Sequence, residues 1–176
     1  MTAPWARVSS ALAPVALIGG WTIAAARTSD FDSVRDTISA LAAINAQDRW
    51  IMTTGLAITG ACHVVTATGL TSVQPSARFT LAAGGVATAL VAVFPQPSET
   101  HAPVATAAFG LMSVWLLLAG TRRSRIAGLI LLALLAVFGV SLRSERWVGL
   151  SERVLAAAQS LWPAVVAFHT PRTLSH

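Results

Sequence analysis

The chain has 176 residues, 55% of them apolar and only 11% charged, with twelve Arg, no Lys and a formal charge of +5. A soluble domain is about a quarter charged, so this composition excludes an ordinary soluble protein. The positive charge does not point to nucleic acid, because the arginines are scattered at the ends of apolar segments, where guanidinium groups meet lipid phosphate.

Six apolar segments run along the chain, at 8–26, 50–71, 79–94, 102–121, 126–142 and 150–169. Each is 16–22 residues long. A helix needs ~20 residues to cross a ~30 Å hydrocarbon core. Backbone groups find no water there, so each span must satisfy its own hydrogen bonds, and helix is the default. The fold class is therefore all-α: a polytopic membrane bundle of six transmembrane helices in one integral membrane domain, 1–176. Arg7 before the first apolar run, with Ala24-Ala25-Ala26 after it, has the look of a secretory signal. That run exceeds the usual ~7–15 apolar residues of a signal and five more spans follow, so it reads as a membrane span.

Between the first two spans, Phe31, Val34, Ile38, Leu41 and Ile44 recur at steps of three and four, the period of one helical face. Ser29 with Asp32 three residues on resembles a capping box. This predicts an amphipathic surface helix at about 30–44, lying on the outer face with its apolar side down. It acts either as a plug on the bundle or as a lid over a pocket. The spans are rich in small residues, among them Gly55, Gly60, Gly84, Gly85 and Gly128, which permit close helix approach. Pro163 lies deep in the last span and is expected to kink it. Trp5, Trp50 and Trp147 fall at segment ends, as an interfacial belt requires. Cys62 is alone and forms no intrachain disulfide.

All seven acids fall in alternate gaps: Asp30, Asp32, Asp36 and Asp48 in the first, Glu99 in the third, Glu145 and Glu152 in or beside the fifth. The other gaps and the two ends hold Arg7, Arg78, Arg122, Arg123, Arg125 and Arg172 and no acid. Arg122, Arg123 and Arg125 crowd one short loop, which the positive-inside rule places in the cytoplasm. Both termini are then cytoplasmic, in a bacterial plasma membrane.

The four histidines lie at unlike depths. His63 is 13 residues into the second span, or roughly 20 Å down at ~1.5 Å per residue. His101 opens the fourth span, His169 ends the sixth, and His176 is in the tail. Zinc needs its ligands within ~2.1 Å of one ion, so neither metal nor haem is expected, and no other cofactor. His63 shares its face with Thr59 and Thr66, and Gln159 is a candidate partner.

The outer face gathers Asp32, Arg35, Asp36, Ser39, His101, Arg143, Glu152 and Arg153. Arg153 near a helix N-terminus is unfavourable, so Asp32 or Asp36 is expected to pair with it. The cluster is either a salt-bridge network that fastens the surface helix or a site. As a binding site, Arg35, Arg143 and Arg153 supply forks for a phosphate or carboxylate. As a catalytic site, Ser39, His101 and Asp36 are the residue types of nucleophile, base and orienter, although no nucleophile-elbow motif surrounds Ser39.

The run Phe31-Asp32-Ser33-Val34-Arg35-Asp36-Thr37-Ile38-Ser39-Ala40-Leu41, then Trp50, Phe94-Pro95 with His101, and Glu152-Arg153 with Trp162, resembles the bacterial multi-pass proteins grouped as domain of unknown function 998. The resemblance runs from about residue 8 to 168. It implies a six-helix bundle and no established activity. The Arg-only, Ala-rich composition would suit an actinobacterial source. The expected function is that of an integral plasma-membrane protein whose outer face binds a lipid headgroup or a partner protein. The alternative is a membrane-embedded hydrolase or transferase acting on a lipid of the outer leaflet. Membrane lipid is the expected partner, and the oligomeric state is left open.

Overall fold

The computed structural model describes residues 2–169, so Arg172 and His176 lie outside the described residues. The elements are α1 (Pro4–Ala26), α2 (Ile38–Leu41), α3 (Trp50–Gly69), α4 (Pro75–Val93), α5 (His101–Val114), α6 (Arg122–Ser144) and α7 (Val148–His169). The last turn of α5 tightens into a 3-10 helix at Trp115–Leu118. Among the described residues there is no strand, only an isolated bridge between Thr2 and Leu70.

Helix starts follow the local chemistry. Pro4 and Pro75 open α1 and α4, where a missing N–H costs nothing. Thr121 and Ser124 form a reciprocal capping box at the start of α6, which draws its arginines into the helix. Pro163 is buried, and α7 stays helical through it.

The six long helices pack in sequence around a ring, and α7 closes it against α1 and α6. Glycines set the tightest crossings. A Cβ on Gly60 would fall 2.5 Å from the Gly85 carbonyl oxygen, and one on Gly55 would fall 2.9 Å from that of Ala16. No side chain separates α3 from α4 or α1 at these points, so backbones touch.

The bundle is inside out. Buried polar residues include Ser9, Ser10, Thr59, His63, Thr66, Ser113, Gln159 and Ser160. Exposed residues on the outer helix faces include Val8, Val15, Phe79, Val86, Leu129, Val137 and Val140. A soluble protein rarely presents so much contiguous apolar surface. Five helices are long and apolar enough to cross a membrane, from α1 and α3 through α6. Helix α7 is not among them, because Glu152, Arg153 and Gln159 lower its hydropathy. Yet Glu152 and Gln159 point inward, while Leu150, Val154, Leu161, Val165 and Phe168 face out. Trp5, Trp50 and Trp147 are exposed at helix ends.

The expected surface helix over 30–44 is corrected. Only Ile38–Leu41 is helical, and the rest of the segment is a chain of turns. Side chains took the backbone groups that a helix would have used. Asp32 Oδ1 accepts from Val34 N–H at 2.8 Å, and Asp36 Oδ2 accepts from Asp32 N–H at 2.8 Å. Local bonds of this kind compete with helix. Ser29 and Asp32 form no capping box; Thr37 instead caps α2, accepting from Ala40 N–H at 3.1 Å. Of the five periodic apolar residues, Ile38 and Leu41 are buried, while Val34 and Ile44 are exposed.

The glycine crossing is testable by thermal unfolding in detergent. Gly85→Ala places a Cβ 2.7 Å from the Gly60 oxygen and 2.9 Å from His63 Cβ, whereas a Cβ on Gly139 meets nothing within 4 Å. We expect Gly85→Ala to cost about 1–3 kcal/mol, the usual range for overpacking, and Gly139→Ala to cost nothing.

Candidate functional site

The segment between α1 and α3 forms a cap over one end of the ring, where α1 ends and α3 begins. Arg27 Nε and Asp48 Oδ2 meet at 2.6 Å and close its base. Ile44 N–H donates to the Gln96 carbonyl at 3.0 Å, reaching the loop before α5. Leu150 N–H donates to the Val34 carbonyl at 3.1 Å, reaching α7. Gly149 lets this happen, since a Cβ there would collide with the carbonyl oxygens of Asp36 and Ser33.

Two adjacent side chains of α7 hold the cap from below. Glu152 is buried, and its Oε2 accepts from Ile38 N–H at 2.6 Å. It therefore satisfies the first free amide of α2, a task usually left to a local cap. Arg153 Nη1 donates to the carbonyls of Ser33 (2.9 Å), Asp36 (2.8 Å) and its own Gly149 (3.0 Å). Its guanidinium also lies 5.3 Å from the Phe31 ring centroid, within cation–π range. The expected pairing of Arg153 with the Asp32 or Asp36 carboxylate is thus corrected. Arg153 binds backbone oxygens, because the aspartates spend their carboxylates on local turns.

Beneath the cap lies an interior cavity of about 60 Å³. Its polar lining comes from four helices: Ser39 of α2, Thr59 and His63 of α3, Thr88 of α4, and Glu152, Gln159 and Ser160 of α7. Leu56, Val91, Phe109 and Met112 are among the apolar walls. Gln159 is oriented by donating to Phe109 O at 2.8 Å and Ser113 Oγ at 2.9 Å. It does not partner His63, as the sequence suggested. Nδ1 of His63 is enclosed and has no hydrogen-bond partner.

The remaining candidates scatter. His101 is buried, and its Nδ1 meets Phe94 O at 2.8 Å. A carbonyl only accepts, so Nδ1 carries the proton and the ring clamps the loop before α5. Asp36 bonds Asp32 N–H, and Ser39 lines the cavity. Among the described residues no hydrogen bond joins Ser39, His101 and Asp36, so they form no triad. Arg35 is exposed, 3.6 Å from Asp32. Arg143 is exposed and away from the cap's contacts. Of the eight outer-cluster residues, Ser39, Glu152 and Arg153 meet at the cap and cavity. The residues that the sequence reading left out of the site are Thr59, Thr88, Gln159 and Ser160. Their signal was a polar stripe on helices otherwise apolar, with Thr59 and His63 four apart and Glu152 and Gln159 seven apart. Among the described residues, no group of three or more His, Cys, Asp or Glu is placed to hold a metal.

Arg153→Ala removes three charge-assisted bonds to the cap. We expect it to lower stability by about 2 kcal/mol or more, on the scale of one such bond, while Arg143→Ala leaves the melting temperature unchanged. The Asp48 carboxyl is held below its ordinary value of 3.8, chiefly by its hydrogen bond from Arg27. A depressed carboxyl stabilises the fold above its unfolded value and loses that contribution as pH falls through the folded one. Limited proteolysis of the cap should therefore accelerate below about pH 4. Asp48→Asn should abolish that acid step.

No curated protein and no solved structure matches this chain. One family model does, over residues 11–169, spanning the bundle, the cap and both anchoring side chains. The chain belongs to that family, a membrane-protein family described as "Protein of unknown function (DUF998)".

Proposed function

We propose that this chain is a six-span protein of a bacterial plasma membrane, both termini cytoplasmic, that admits a small polar ligand from the outer side into the capped cavity. The single observation that carries this reading is the cavity itself, a polar interior directly under a pinned cap, with an enclosed histidine nitrogen lacking a partner. Ionisable groups inside a membrane bundle are costly and mark ligand or ion routes. Its volume suits a few water-sized groups and is too small for a lipid headgroup. The apolar outer face of α7 supports the sixth span, and the exposed Arg122, Arg123 and Arg125 support the orientation. A hydrolase or transferase is disfavoured, since among the described residues no hydrogen bond joins Ser39 to His101 or Asp36, whose side chains bond the Phe94 carbonyl and the Asp32 N–H. A lipid contact is better placed at the open groove of Ser144, Arg146 and Trp147, where a cation stands over an apolar trough on the lipid side.

Cysteine accessibility tests the reading, with Cys62 replaced by Ala. Silver ion, a thiol reagent about the size of a water molecule, added outside cells should react with Ala105→Cys, which lines the cavity, and with Ser98→Cys, blocking later alkylation of each thiol in denatured protein. It should spare Ser124→Cys and the lipid-facing Val15→Cys. Modification of Ser124→Cys without Ser98→Cys reverses the orientation. Silence at Ala105→Cys, with Ser98→Cys labelled, removes the cavity reading.

A further inference from the structure

We propose that the ligand of the capped cavity is the proton: water in it joins Glu152 to His63, and a hydroxyl pair below His63 carries the column toward the inner side. This rests on the capped-cavity reading and names its cargo. Glu152 is four residues into α7, about 6 Å from its outer end, and His63 is 13 residues into α3, about 20 Å from its own. One cavity touches both, with Thr59, Gln159 and Ser160 on its walls. A site in which every ligand must meet one ion cannot span that depth, but a file of water can. A cavity of about 60 Å³ holds roughly four waters, each needing ~10–15 Å³ of this space. The hydroxyl and amide walls supply the two to four polar partners that such waters require.

Three features distinguish a proton route from a merely wet cavity. Its titratable lining residues are Glu152 and His63 alone, one at each end. Arg153 is not among the lining residues: its Nη1 turns to the cap's carbonyls, and its charge reaches the cavity only through the adjacent Glu152. Cys62, next to His63, is not among the lining residues. Five enclosed polar side-chain atoms lack a partner among the described residues, and His63 Nδ1 is the one that belongs to a cavity-lining residue. Below it, Thr66 lies three residues on, on the same helix face. Its hydroxyl meets Ser9 Oγ at 2.8 Å, and Ser9 is five residues from the start of α1. Arg7 stands at that end, donating to Ala167 O at 3.3 Å.

The transfer needs no co-reactant. The Glu152 carboxylate takes up a proton from the outer side and releases it to a cavity water. That water passes a different proton to a free ring nitrogen of His63, and the imidazolium gives up its other N–H proton toward the Thr66–Ser9 pair. Only O–H and N–H bonds form and break. The passage leaves His63 as its other tautomer and the hydroxyls reversed, and a ring flip and hydroxyl rotations reset them for the next proton.

Proteoliposomes loaded with potassium and a pH-sensitive dye, then treated with valinomycin, test this with the full chain. Wild type should acidify the lumen at least severalfold faster than protein-free liposomes. Glu152→Gln and His63→Gln should each fall to the protein-free rate. Because Glu152 also holds the cap, Ala105→Phe supplies a variant that fills the cavity and leaves both titratable groups in place. It too should fall to the protein-free rate, and Gly139→Ala, whose added Cβ meets nothing within 4 Å, should keep the wild-type rate. Wild type no faster than protein-free liposomes overturns the proposal, as does a wild-type rate in folded Glu152→Gln, His63→Gln or Ala105→Phe. If flux is absent while Ala105→Cys is still labelled from outside, the proton route falls and the cavity reading stands. If both are absent, both fall.

Discussion

The hydrogen bond from Ile38 N–H to the buried Glu152 carboxylate organises the capped half of this molecule. It couples the first turn of α7 to a helix of only four residues, 114 positions away in the chain. So short a helix has little stability of its own, since nucleation fixes several residues for one hydrogen bond. Glu152 from below and Thr37 from its own start together satisfy its free amides. The cap thus exists because α7 is there. Arg153, one residue on, grips the preceding turns by their carbonyls. A carboxylate meets amides and a guanidinium meets carbonyls, so the pair reads the backbone polarity of the cap from adjacent positions.

The same constraint shapes the interior. Lipid offers nothing to a hydroxyl or an amide, so polar side chains on these helices turn inward and find one another. Ser9 meets Thr66, Gln159 meets Ser113, and Ser141 meets Ser151 at 2.6 Å. Glycines draw α1, α3 and α4 together, while α5 and α7 touch only lightly across the ring. The cavity lies inside that ring, between the tightly packed helices and the loosely met ones. Its polar lining is a consequence of inward-facing side chains that outnumber their partners.

Arginine works differently at the two ends. At the end away from the cap, Arg78 donates to the carbonyls of Ala67 and Thr68 at the end of α3, and Arg7 to Ala167 near the end of α7. Cations suit helix C-termini, where free carbonyls and the dipole coincide. Those arginines finish helices, and Arg122, Arg123 and Arg125 remain exposed beside them. At the capped end, Arg27 and Arg153 close and hold the cap. The split between an acid-free face and a mixed face therefore corresponds to two structural tasks.

The sequence by itself determined the spans, their helical nature and the segregation of charge, because each depends on local composition set against a ~30 Å apolar slab. It also marked Arg153 as unfavourable near a helix start and in need of a partner, and Gly60 and Gly85 as packing sites. It misread 30–44, because an apolar period of three and four is necessary for a helix but does not outweigh aspartates that bond their own backbone. It placed His63 correctly in depth, yet the comparison of depths was made for a single ion and hid a column. Whether Arg153 meets a carboxylate or a carbonyl, and whether Glu152 and His63 share a space, only the tertiary structure decided. The first depends on the turns that occupy the Asp32 and Asp36 carboxylates, and the second on how α3 and α7 face each other across the closed ring, an arrangement that no one helix encodes.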